Sequence, residues 1–510
     1  MPAVIEIPRT HNPFATTGVS RVADGVPRYD ELPATLLEML AGQVERRPDS
    51  EAVVELGADR LTYRQLWERA ARVAGGLRAA GVGPGDRVAL RYPAGTRWAV
   101  AFWGTVMAGG VAVAVNTRSA RPEVDFVLSD CGARVDLGPD SALPDGNPYV
   151  SDGLAPTDIA ALFYTSGTTG HPKGVPTTHA AFLTNTENSI RCLDQPRDLG
   201  EAMRTLISVP LFHVTGCNTQ LLVATRLGGT AVIMPTLDLD AVITALAAER
   251  ISVLVTVPAV YSLMLRHSSF ADADVSGVRW VGYGGAPIAP SLVRSVQAAF
   301  PDATVFNGYG MTETASLLTV LPDSDAVDHA DSVGYAVPSV DLAVAPLGDD
   351  PRVGELLAKG VNVMTGYWNR PEATAATLVD GWLHTGDVVR VDDAGRVHLV
   401  DRLKDIINRG GENVSSVEVE AALLSAPGVA DACVLGVPDD VMGEKVGAVL
   451  FGGGAPIDVP AVLEHCRGQL ADYKVPQYVC LADAALPRNA GGKVLKAALR
   501  AQVRWGEPLR

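Results

Sequence analysis

The chain has 510 residues, of which 47% are hydrophobic and 20% charged, a composition typical of a globular protein with several domains. Lysine and arginine total 42 against 58 aspartate and glutamate residues, so the formal net charge is −16. With this balance and no block of basic residues, nucleic acid and anionic membranes are not expected as main partners. A polyanionic ligand would need a local pocket of positive charge.

Six cysteines are spread along the chain without the spacing of a zinc site or a Cys-x-x-Cys pair, which predicts reduced thiols. Residues 1–9 lack the apolar core of a signal peptide, so we expect a cytoplasmic protein. The segment 98–115 carries no charge, but Gly104, Gly109 and Gly110 interrupt it. We interpret it as a helix followed by a buried parallel strand, and we expect no integral membrane span.

The first part of the chain has the pattern of a parallel α/β sheet. Residues 1–33 are polar and are predicted to form an arm on the surface. Thr62 and Gln65 have the capping-box spacing ahead of a helix predicted over 66–80. Strands and helices then alternate to about residue 300, as expected when helices cover both faces of a parallel sheet.

The segment Tyr164–Gly174 is rich in glycine and hydroxyl residues and contains Lys173. It follows an apolar run over 159–163 that predicts a buried strand. Glycines let successive backbone N–H groups form an anion-binding nest, and the lysine adds positive charge, so a phosphate clamp is predicted. The spacing differs from that of the P-loop of nucleotide hydrolases. Composition alone leaves a flexible surface loop as the alternative.

A histidine follows the apolar strand predicted over 205–209. His213 lies within 210–216, at the carboxyl end of that strand, which is where open α/β sheets bind ligands. Taken alone, the residue is better explained as a packed core histidine.

Two further apolar strands run into glycine, over 280–287 and over 307–314. In the second segment, Thr312 and Glu313 place a hydroxyl beside a carboxylate, a pair that suits magnesium held between protein and phosphate oxygens. Tyr309 offers a flat face on which a base can stack. These residues predict a nucleotide site at the ends of the strands.

From residue 332 the sequence predicts short strands separated by turns, over 354–357, 366–368 and 381–387. Asp387 closes the last of them, and a carboxylate there can accept two hydrogen bonds from a ribose. An ordinary turn aspartate is the alternative. From about residue 401 a small α+β unit follows, and Lys493 lies on a glycine turn near its end, where an exposed lysine is the alternative explanation.

The chain resembles the adenylate-forming acyl-CoA synthetases, a superfamily that includes the adenylation domains of nonribosomal peptide synthetases and the beetle luciferases. The resemblance spans essentially the whole chain and is carried by six segments in the family's order: 164–174, 210–216, 307–314, 382–387, 401–413 and 487–496. Each motif is moderately specific, whereas six in order and at the right spacing are highly specific.

The resemblance implies an α/β protein with two domains. Residues 1–400 would form a large N-terminal adenylation domain of parallel and mixed sheets with helices and a β-barrel-like subdomain. Residues 401–510 would form a small, mobile α+β lid with its hinge near Lys404. Two half-reactions are implied: a carboxylate attacks the α-phosphate of ATP and releases pyrophosphate, and a thiol, usually that of coenzyme A, then displaces AMP.

The resemblance also implies ATP, magnesium and coenzyme A as ligands, with site residues assigned by their places in the motifs. The residues expected to bind phosphate are Thr165, Ser166, Gly167, Thr168, Thr169 and Lys173. Those expected to bind the rest of the nucleotide are Gly284, Gly285, Ala286, Asn307, Gly308, Tyr309, Gly310, Asp387 and Arg402. The hinge and the thiol tunnel are assigned to Lys404, Gly410 and Gly411. Magnesium is assigned to Glu313 and Thr168, and catalysis to Lys493, Glu313, Thr312 and His213.

Lys493 would bridge the substrate carboxylate and the α-phosphate, and His213 would close the acyl pocket. One departure is Gly491–Gly492, where the family usually has Thr or Ser before glycine.

Two residues that bind charged substrate groups in relatives are absent here, which limits the class of acid. His213 stands where amino-acid-activating relatives have Asp, and Leu263 where malonate-type relatives have Arg. Residues 315–319 are small or apolar, which predicts an apolar monocarboxylic acid, either fatty or aryl/alkyl. No long insertion is visible between residues 316 and 400, which favours coenzyme A over the acyl-AMP ligases.

An enzyme that loads a carrier-protein thiol and a specialised-acid CoA ligase remain alternatives, as does a non-catalytic paralogue. A monomer and a homodimer both stay open.

Overall fold

The computed structural model describes residues 4–165, 172–286, 288–410, 412–488 and 494–509. Within them the α-helices are α1 Leu36–Arg46, α2 Tyr63–Ala79, α3 Thr96–Met107, α4 Arg121–Cys131, α5 His179–Cys192, α6 Leu222–Leu227, α7 Leu239–Ala248, α8 Pro258–Met264, α9 Pro290–Ala299, α10 Pro371–Thr377, α11 Ser416–Leu424, α12 Val459–Arg467 and α13 Lys496–Gln502. A π-helix over Thr215–Leu221 leads directly into α6.

The strands of the first half are β1 Ile5–Glu6, β2 Val19–Arg21, β3 Pro27–Tyr29, β4 Glu51–Glu55, β5 Arg60–Thr62, β6 Arg87–Leu90, β7 Val111–Ala114, β8 Val135–Leu137, β9 Ile159–Thr165, β10 Lys173–Thr178, β11 Arg204–Ile207, β12 Thr230–Ile233 and β13 Val253–Thr256. Those of the second half are β14 Trp280–Gly284, β15 Thr304–Met311, β16 Ser316–Leu321, β17 Tyr335–Ala336, β18 Val340–Pro346, β19 Val353–Gly360, β20 Leu378–Val379, β21 Trp382–Val391, β22 Val397–Arg402, β23 Ile407–Arg409, β24 Glu412–Val414, β25 Asp431–Asp439, β26 Gly443–Phe451 and β27 Tyr478–Leu481.

Two sheets carry the predicted α/β pattern. The central sheet has nine strands in the order β17-β16-β15-β14-β13-β11-β12-β4-β5, parallel from β15 to β4 and antiparallel at both edges. The second sheet has the order β10-β9-β7-β6-β8, with only β10 antiparallel. Both sheets direct the carboxyl ends of their parallel strands to loops, where α/β proteins place ligand sites.

The third sheet is the predicted barrel-like part. Its antiparallel order is β1-β18-β19-β21-β20, and β22 pairs with a later part of β21 on the same side as β20. The chain leaves it after Arg402 and enters the C-terminal sheet at Ile407, in the order β24-β23-β26-β25 with β27 beside β26. The predicted fold class is therefore confirmed in its large α/β part, its half-barrel sheet and its C-terminal unit.

Local sequence signals explain several of these elements. Helix α2 begins with the predicted capping box, in which the Thr62 hydroxyl accepts from the N–H of Gln65 and the Gln65 side chain accepts from that of Thr62. The uncharged segment 98–115 forms most of α3 and then β7, both buried. In the parts of the chain that are described, no helix is long and apolar enough to cross a membrane.

One predicted strand is wrong. Residues 366–368 form a loop because their backbone N–H groups bond to one side chain and one isolated carbonyl, and they form no ladder with a neighbouring strand. The N–H of Tyr367 donates to the Thr374 hydroxyl, and that of Trp368 to the carbonyl of Gly174. The loop is thereby fixed against β10, next to the glycine-rich segment.

Candidate active site

Three predicted residues from distant parts of the sequence meet at the edge of the central and third sheets. The hydroxyl of Tyr309, in β15, donates to Asp387 Oδ2 at 2.6 Å, and Arg402 Nε, in β22, lies 2.6 Å from Asp387 Oδ1. The Asp387 side chain is only 7% exposed. Burial raises the pKa of Tyr309 well above its usual value, and the Asp387 carboxylate adds to the rise, so the hydroxyl stays a donor.

The backbone around Asp387 is held by a short network. The Thr385 hydroxyl donates to the carbonyl of Leu356 and accepts from the N–H of Asp387. Glu355 accepts from the N–H of Gly386, which has a φ of +70°, and pairs with His384 at 2.7 Å. These bonds fix the carboxylate between the two sheets, where it faces Tyr309.

A second group forms around Glu313, which follows β15. The Tyr367 hydroxyl donates to Glu313 Oε1 at 2.9 Å, and the N–H of Met364 donates to the Glu313 carbonyl at 2.8 Å. The ammonium of Lys173 lies 4.7 Å from the centre of the Tyr367 ring. Lys173 in β10 and Glu313 in the 3₁₀ turn after β15 therefore both contact one tyrosine, and Thr312 adjoins Glu313 in that turn.

The loop that supplies Tyr367 is tied to β9, the strand that enters the glycine-rich segment. Asp130, at the end of α4, accepts from the Tyr164 hydroxyl at 2.9 Å and pairs with Arg370 at 2.6 Å. Its carbonyl accepts from the ring N–H of Trp368 at 3.2 Å. The entrance to the predicted phosphate clamp and the Tyr367 loop are thus fixed to one aspartate.

The turn that carries Glu313 is tight and strained. Ala315 and Ser316 have φ values of +52° and +122°, which residues other than glycine rarely adopt. A Cβ at Gly310 would lie 1.5 Å from the Ser316 carbonyl, so only glycine fits there. Asn218 donates to the Ala315 carbonyl at 2.8 Å, and Asn362 donates to two further carbonyls of the turn. Buried asparagines therefore hold the strain next to Thr312 and Glu313.

The predicted base-binding strands lie side by side. Gly284 in β14 pairs with Gly308 in β15, and a Cβ at Gly284 would lie 2.4 Å from the Gly308 carbonyl. Gly285 follows with a φ of +74°, and both Gly285 and Ala286 are exposed. Two glycine-rich strand ends thus form a flat exposed shelf beside Tyr309, and the neighbouring Asn307 is buried.

His213 follows β11 and is exposed, its ring 4.8 Å from that of Phe212. Surrounding protein atoms lower the pKa of the imidazole, and the like charge of Arg118 lowers it further. This histidine is therefore not packed in the core. The π-helix Thr215–Leu221 follows it, and the Thr219 hydroxyl of that helix lies 2.7 Å from the Ser316 hydroxyl.

The predicted residues of the C-terminal unit have other neighbours. Lys404 lies 3.8 Å from Asp405, and the N–H of Gly410 donates to Met442 at 2.7 Å. These contacts are within the C-terminal part and not with the Tyr309 or Glu313 groups. Ser166, Gly167, Thr168, Thr169, Gly411 and Lys493 lie outside the described residues.

The arrangement suits magnesium that is held mainly by phosphate oxygens. Glu313 Oε2 has no hydrogen-bond partner within the described residues, and those residues contain no cluster of three or more His, Cys, Asp or Glu side chains that could hold a metal. Magnesium is commonly bound by one or two carboxylates together with substrate phosphates and water. Glu313 fits that role, with Thr312 and Lys173 near the same space.

Sequence reasoning missed the residues that support these groups. The contacts of these residues span 29 to 240 positions of the chain, and the residues are Tyr367, Asp130, Thr385 and the asparagines of the strained turn. The aromatic pair Tyr367–Trp368 was a visible signal, but it was interpreted as part of a strand.

Comparisons with known proteins identify the family. The sequence profile of the family described as AMP-binding enzyme matches residues 40–147 and 136–368, and that of the AMP-binding enzyme C-terminal domain matches residues 418–493. The chain belongs to the AMP-binding enzymes.

Named relatives refine the class. A long-chain-fatty-acid–CoA ligase of Mycobacterium tuberculosis is 35% identical over 501 residues, covering 91% of this chain and 97% of the relative. A feruloyl-CoA synthase of Amycolatopsis is 38% identical over 475 residues, covering 88% and 95%. The chain is an ATP-dependent acyl-CoA synthetase, an AMP-forming acid–thiol ligase.

A solved structure agrees with this assignment. The o-succinylbenzoate CoA synthetase of Bacillus subtilis, in complex with its acyl-adenylate intermediate, superposes with a TM-score of 0.83 at 28% identity, covering 92% of this chain and 99% of the other. The same enzyme has also been solved with ATP and a magnesium ion.

Proposed function

We propose that this synthetase activates an apolar monocarboxylic acid whose acyl end reaches a small apolar cavity behind the nucleotide shelf. One observation carries this proposal. An enclosed, mostly apolar cavity of about 20 Å³ lies between the central sheet and the helices α5 and α6, and Leu317 forms part of its wall. Phe306 also lines it, so β15, the strand that carries Tyr309, forms part of the cavity wall.

The lining of the cavity limits the acid. Most of it is aliphatic or aromatic, including Met203, Val255 and Phe306, and no charged residue belongs to it. An acid with a second carboxylate would leave a buried charge unpaired there, at a cost of several kcal/mol. The far side is closed where the ring N–H of Trp280 donates to the Leu193 carbonyl at 3.0 Å. At about 20 Å³ the cavity admits about one methyl-sized group, so it can take the end of a compact acyl chain, whereas a ring or a long chain requires the lining side chains to move.

We further propose the roles of the site residues in two steps. In the first, a carboxylate oxygen attacks the α-phosphorus of ATP, and the bond to the β-phosphate breaks to release pyrophosphate. Lys173 and the hydroxyl segment would hold the leaving phosphates, Thr312 the α-phosphate, and Lys493 the oxygens that gain charge. Magnesium held by Glu313 would neutralise phosphate charge. Tyr309 and the shelf would flank adenine, and Asp387 with Arg402 would fix the ribose.

In the second step the thiol sulfur of coenzyme A attacks the acyl carbon, the thiol proton is lost, and AMP leaves. We propose that residues 1–400 and 401–510 act as two domains that reorient at Lys404 between the steps. The chain passes from the third sheet to the C-terminal sheet within four residues, 403–406, which supports a hinge there. The two glycines at 410 and 411 would then line the thiol tunnel. Six free thiols support a cytoplasmic location.

A pyrophosphate-release assay over a panel of carboxylic acids tests the proposal. We expect release to require an acid and to be faster with apolar monocarboxylates than with dicarboxylates or amino acids, and thioester to form when coenzyme A is added. Leu317→Ala removes part of the cavity wall, which enlarges the cavity and should shift the preference to longer acids. Leu318→Ala, a buried neighbour that does not line the cavity, is the control. Fastest turnover with dicarboxylates or amino acids would refute the proposed acid class.

The same assay separates the alternative acceptors. A carrier protein that bears phosphopantetheine replaces coenzyme A in one arm, and thioester formed only with the carrier would favour a loading enzyme. Acyl adenylate that accumulates and is passed to neither thiol would indicate an acyl-AMP ligase. No acid-dependent pyrophosphate release with any member of the panel would contradict a catalytic role.

A further inference from the structure

A second cavity of about 310 Å³ lies where helices α1 and α6 end, beside the segment that follows α5. We call this cavity the arginine pocket because its wall contains Arg46, Arg47, Arg197 and Arg226. Gln43 and Asp198 also line it. A cluster of four guanidinium groups is unexpected in a protein with a net charge of −16.

The positive charge of the arginine pocket is only partly balanced by the protein. Glu187 is 2% exposed and pairs with Arg191 and Arg197, and it lies 4.0 Å from Arg226. For Arg46 and Arg47, the described residues provide no carboxylate within 4 Å. Asp198 in the wall and the carboxyl ends of α1 and α6, at about half a negative charge each, add about two negative charges, so with Glu187 the four guanidinium groups keep a net positive charge of about one.

One donor in the pocket is buried without a partner. Arg226 Nε makes no hydrogen bond among the described residues. Burial lowers the pKa of Arg226, and the like charges of Arg197 and Arg46 lower it further. The negative charge of Glu187 raises this pKa and so offsets part of the decrease. Since Nε has no accessible surface, an anion in the pocket would reach Arg226 through the terminal nitrogens of its guanidinium and not through Nε.

The pocket is built on rigid backbone. Gln43 is 3% exposed, and its amide donates to the Arg226 carbonyl at 2.9 Å, which ties α1 to α6. Gly200 and Gly228 have φ values of +51° and +69°, and the Arg47 side chain passes over both. A Cβ at Gly200 would lie 2.1 Å from Arg47 Nη1, so glycine makes the space for this guanidinium.

The pocket is remote from the candidate active site. Helix α5 begins directly after β10, whose first residue is Lys173, and the pocket lies beyond the other end of α5. Fourteen helical residues span about 21 Å at 1.5 Å per residue. The arginine pocket is therefore separate from the groups around Tyr309 and Glu313.

We propose that the arginine pocket binds a multiply charged phosphate anion, either a pyrophosphate or a phosphate monoester. Guanidinium groups present planar pairs of donors that match phosphate oxygens, and several of them can share one doubly charged group. The volume admits such a group with a small substituent but not a whole nucleotide cofactor. The anion would pair with Arg46, Arg47 and the terminal guanidinium nitrogens of Arg226, at the ends of three helices.

Three sources could supply this chemistry: free pyrophosphate, the 3′-phosphate of coenzyme A, and a phospholipid headgroup. Isothermal titration of the full-length protein with inorganic pyrophosphate at constant ionic strength measures the site. Titration with coenzyme A and with coenzyme A that lacks the 3′-phosphate, and flotation with phosphatidylglycerol vesicles, distinguish the sources.

We expect two classes of pyrophosphate site in the unmodified protein. The double variant Arg46→Gln/Arg47→Gln should weaken one of them at least about tenfold and keep the other, with kcat unchanged. Arg64→Gln/Arg69→Gln on α2 removes the same charge from exposed positions and should leave both sites intact.

Gly200→Ala tests geometry rather than charge. It keeps all four arginines but displaces Arg47, so it should weaken the same site, and its thermal midpoint reports whether it is folded. The proposal is overturned if no phosphate ligand or vesicle loses affinity in the pocket double variant, or if the α2 double variant loses as much. A ligand that depends on the pocket identifies the source.

Discussion

Replacement of Tyr309 by phenylalanine tests whether the Asp387 carboxylate serves the nucleotide. The substitution removes one hydroxyl, whose hydrogen bond to Asp387 Oδ2 is 2.6 Å long, and leaves the ring that would stack on adenine. Arg402 still pairs with the other carboxylate oxygen. The perturbation is therefore confined to the orientation and solvation of one carboxylate.

The magnitude follows from that single bond. A hydrogen bond to a charged group contributes about 1.5–3 kcal/mol. The lower end applies here because Arg402 is 39% exposed and water can reach the pair. If Asp387 holds the ribose, about 1.5 kcal/mol of lost orientation should raise the KM for ATP about tenfold, with a smaller effect on kcat.

Tyr335 provides a matched control that separates an effect on ATP binding from an effect on stability. The Tyr335 hydroxyl donates to Asp325 Oδ2 at 3.0 Å, and Arg396 lies 3.1 Å from the same oxygen, so this trio repeats the chemistry away from the site. Initial-rate kinetics and thermal melts are measured for both phenylalanine variants. Both should lower the melting temperature, but only Tyr309→Phe should raise the KM for ATP. An unchanged KM in Tyr309→Phe would refute the ribose role of Asp387.

The remaining predictions concern the lid, the hinge and one buried histidine. Lys493→Ala should abolish adenylate formation in a pyrophosphate-exchange assay, since a transition-state contact of this type contributes about 3 kcal/mol or more; exchange at a near-normal rate would contradict the role. Lys404→Pro should keep adenylate formation and lose thioester formation, measured as separate half-reactions; equal loss of both would argue against the hinge. His179 accepts the N–H of Leu36 through Nδ1, and burial lowers its pKa to about 4. The unfolded chain binds this proton below about pH 6.5 and the folded chain does not, so stability should fall as the pH falls through the window from 6.5 to 4, by about 2 kcal/mol at pH 5. His179→Asn keeps an acceptor for Leu36 and should remove that part of the pH dependence of the thermal midpoint; an unchanged dependence would contradict it.

Local signals in the sequence were sufficient for several elements. The capping box at Thr62 and the uncharged run over 98–115 predicted α2 and the pair α3–β7 because neighbouring residues decide them. The motif around Thr312 and Glu313 was likewise found at the end of a strand of the central sheet. These features depend on spacing within one segment, which a sequence displays directly.

Other parts of the site depend on contacts that a sequence does not display. The loop 366–370 was predicted to contain a strand, but Asp130 and the Gly174 carbonyl hold it from more than 190 positions away. The strain at Ala315 is stabilised by Asn218 and Asn362 in the same way. The position of Asp387 next to Tyr309 required the family resemblance, since no local pattern joins β15 to β21.

The most direct test of the two-step reaction is a rapid-quench experiment with enzyme at high concentration and saturating ATP, magnesium and the best acid of the panel. Without coenzyme A, the proposed mechanism predicts acyl adenylate and pyrophosphate in equal amounts, approaching one equivalent per active site. Addition of coenzyme A should convert the adenylate to thioester and AMP without a lag. Formation of ADP and inorganic phosphate, or thioester that appears with no adenylate before it, would contradict the mechanism.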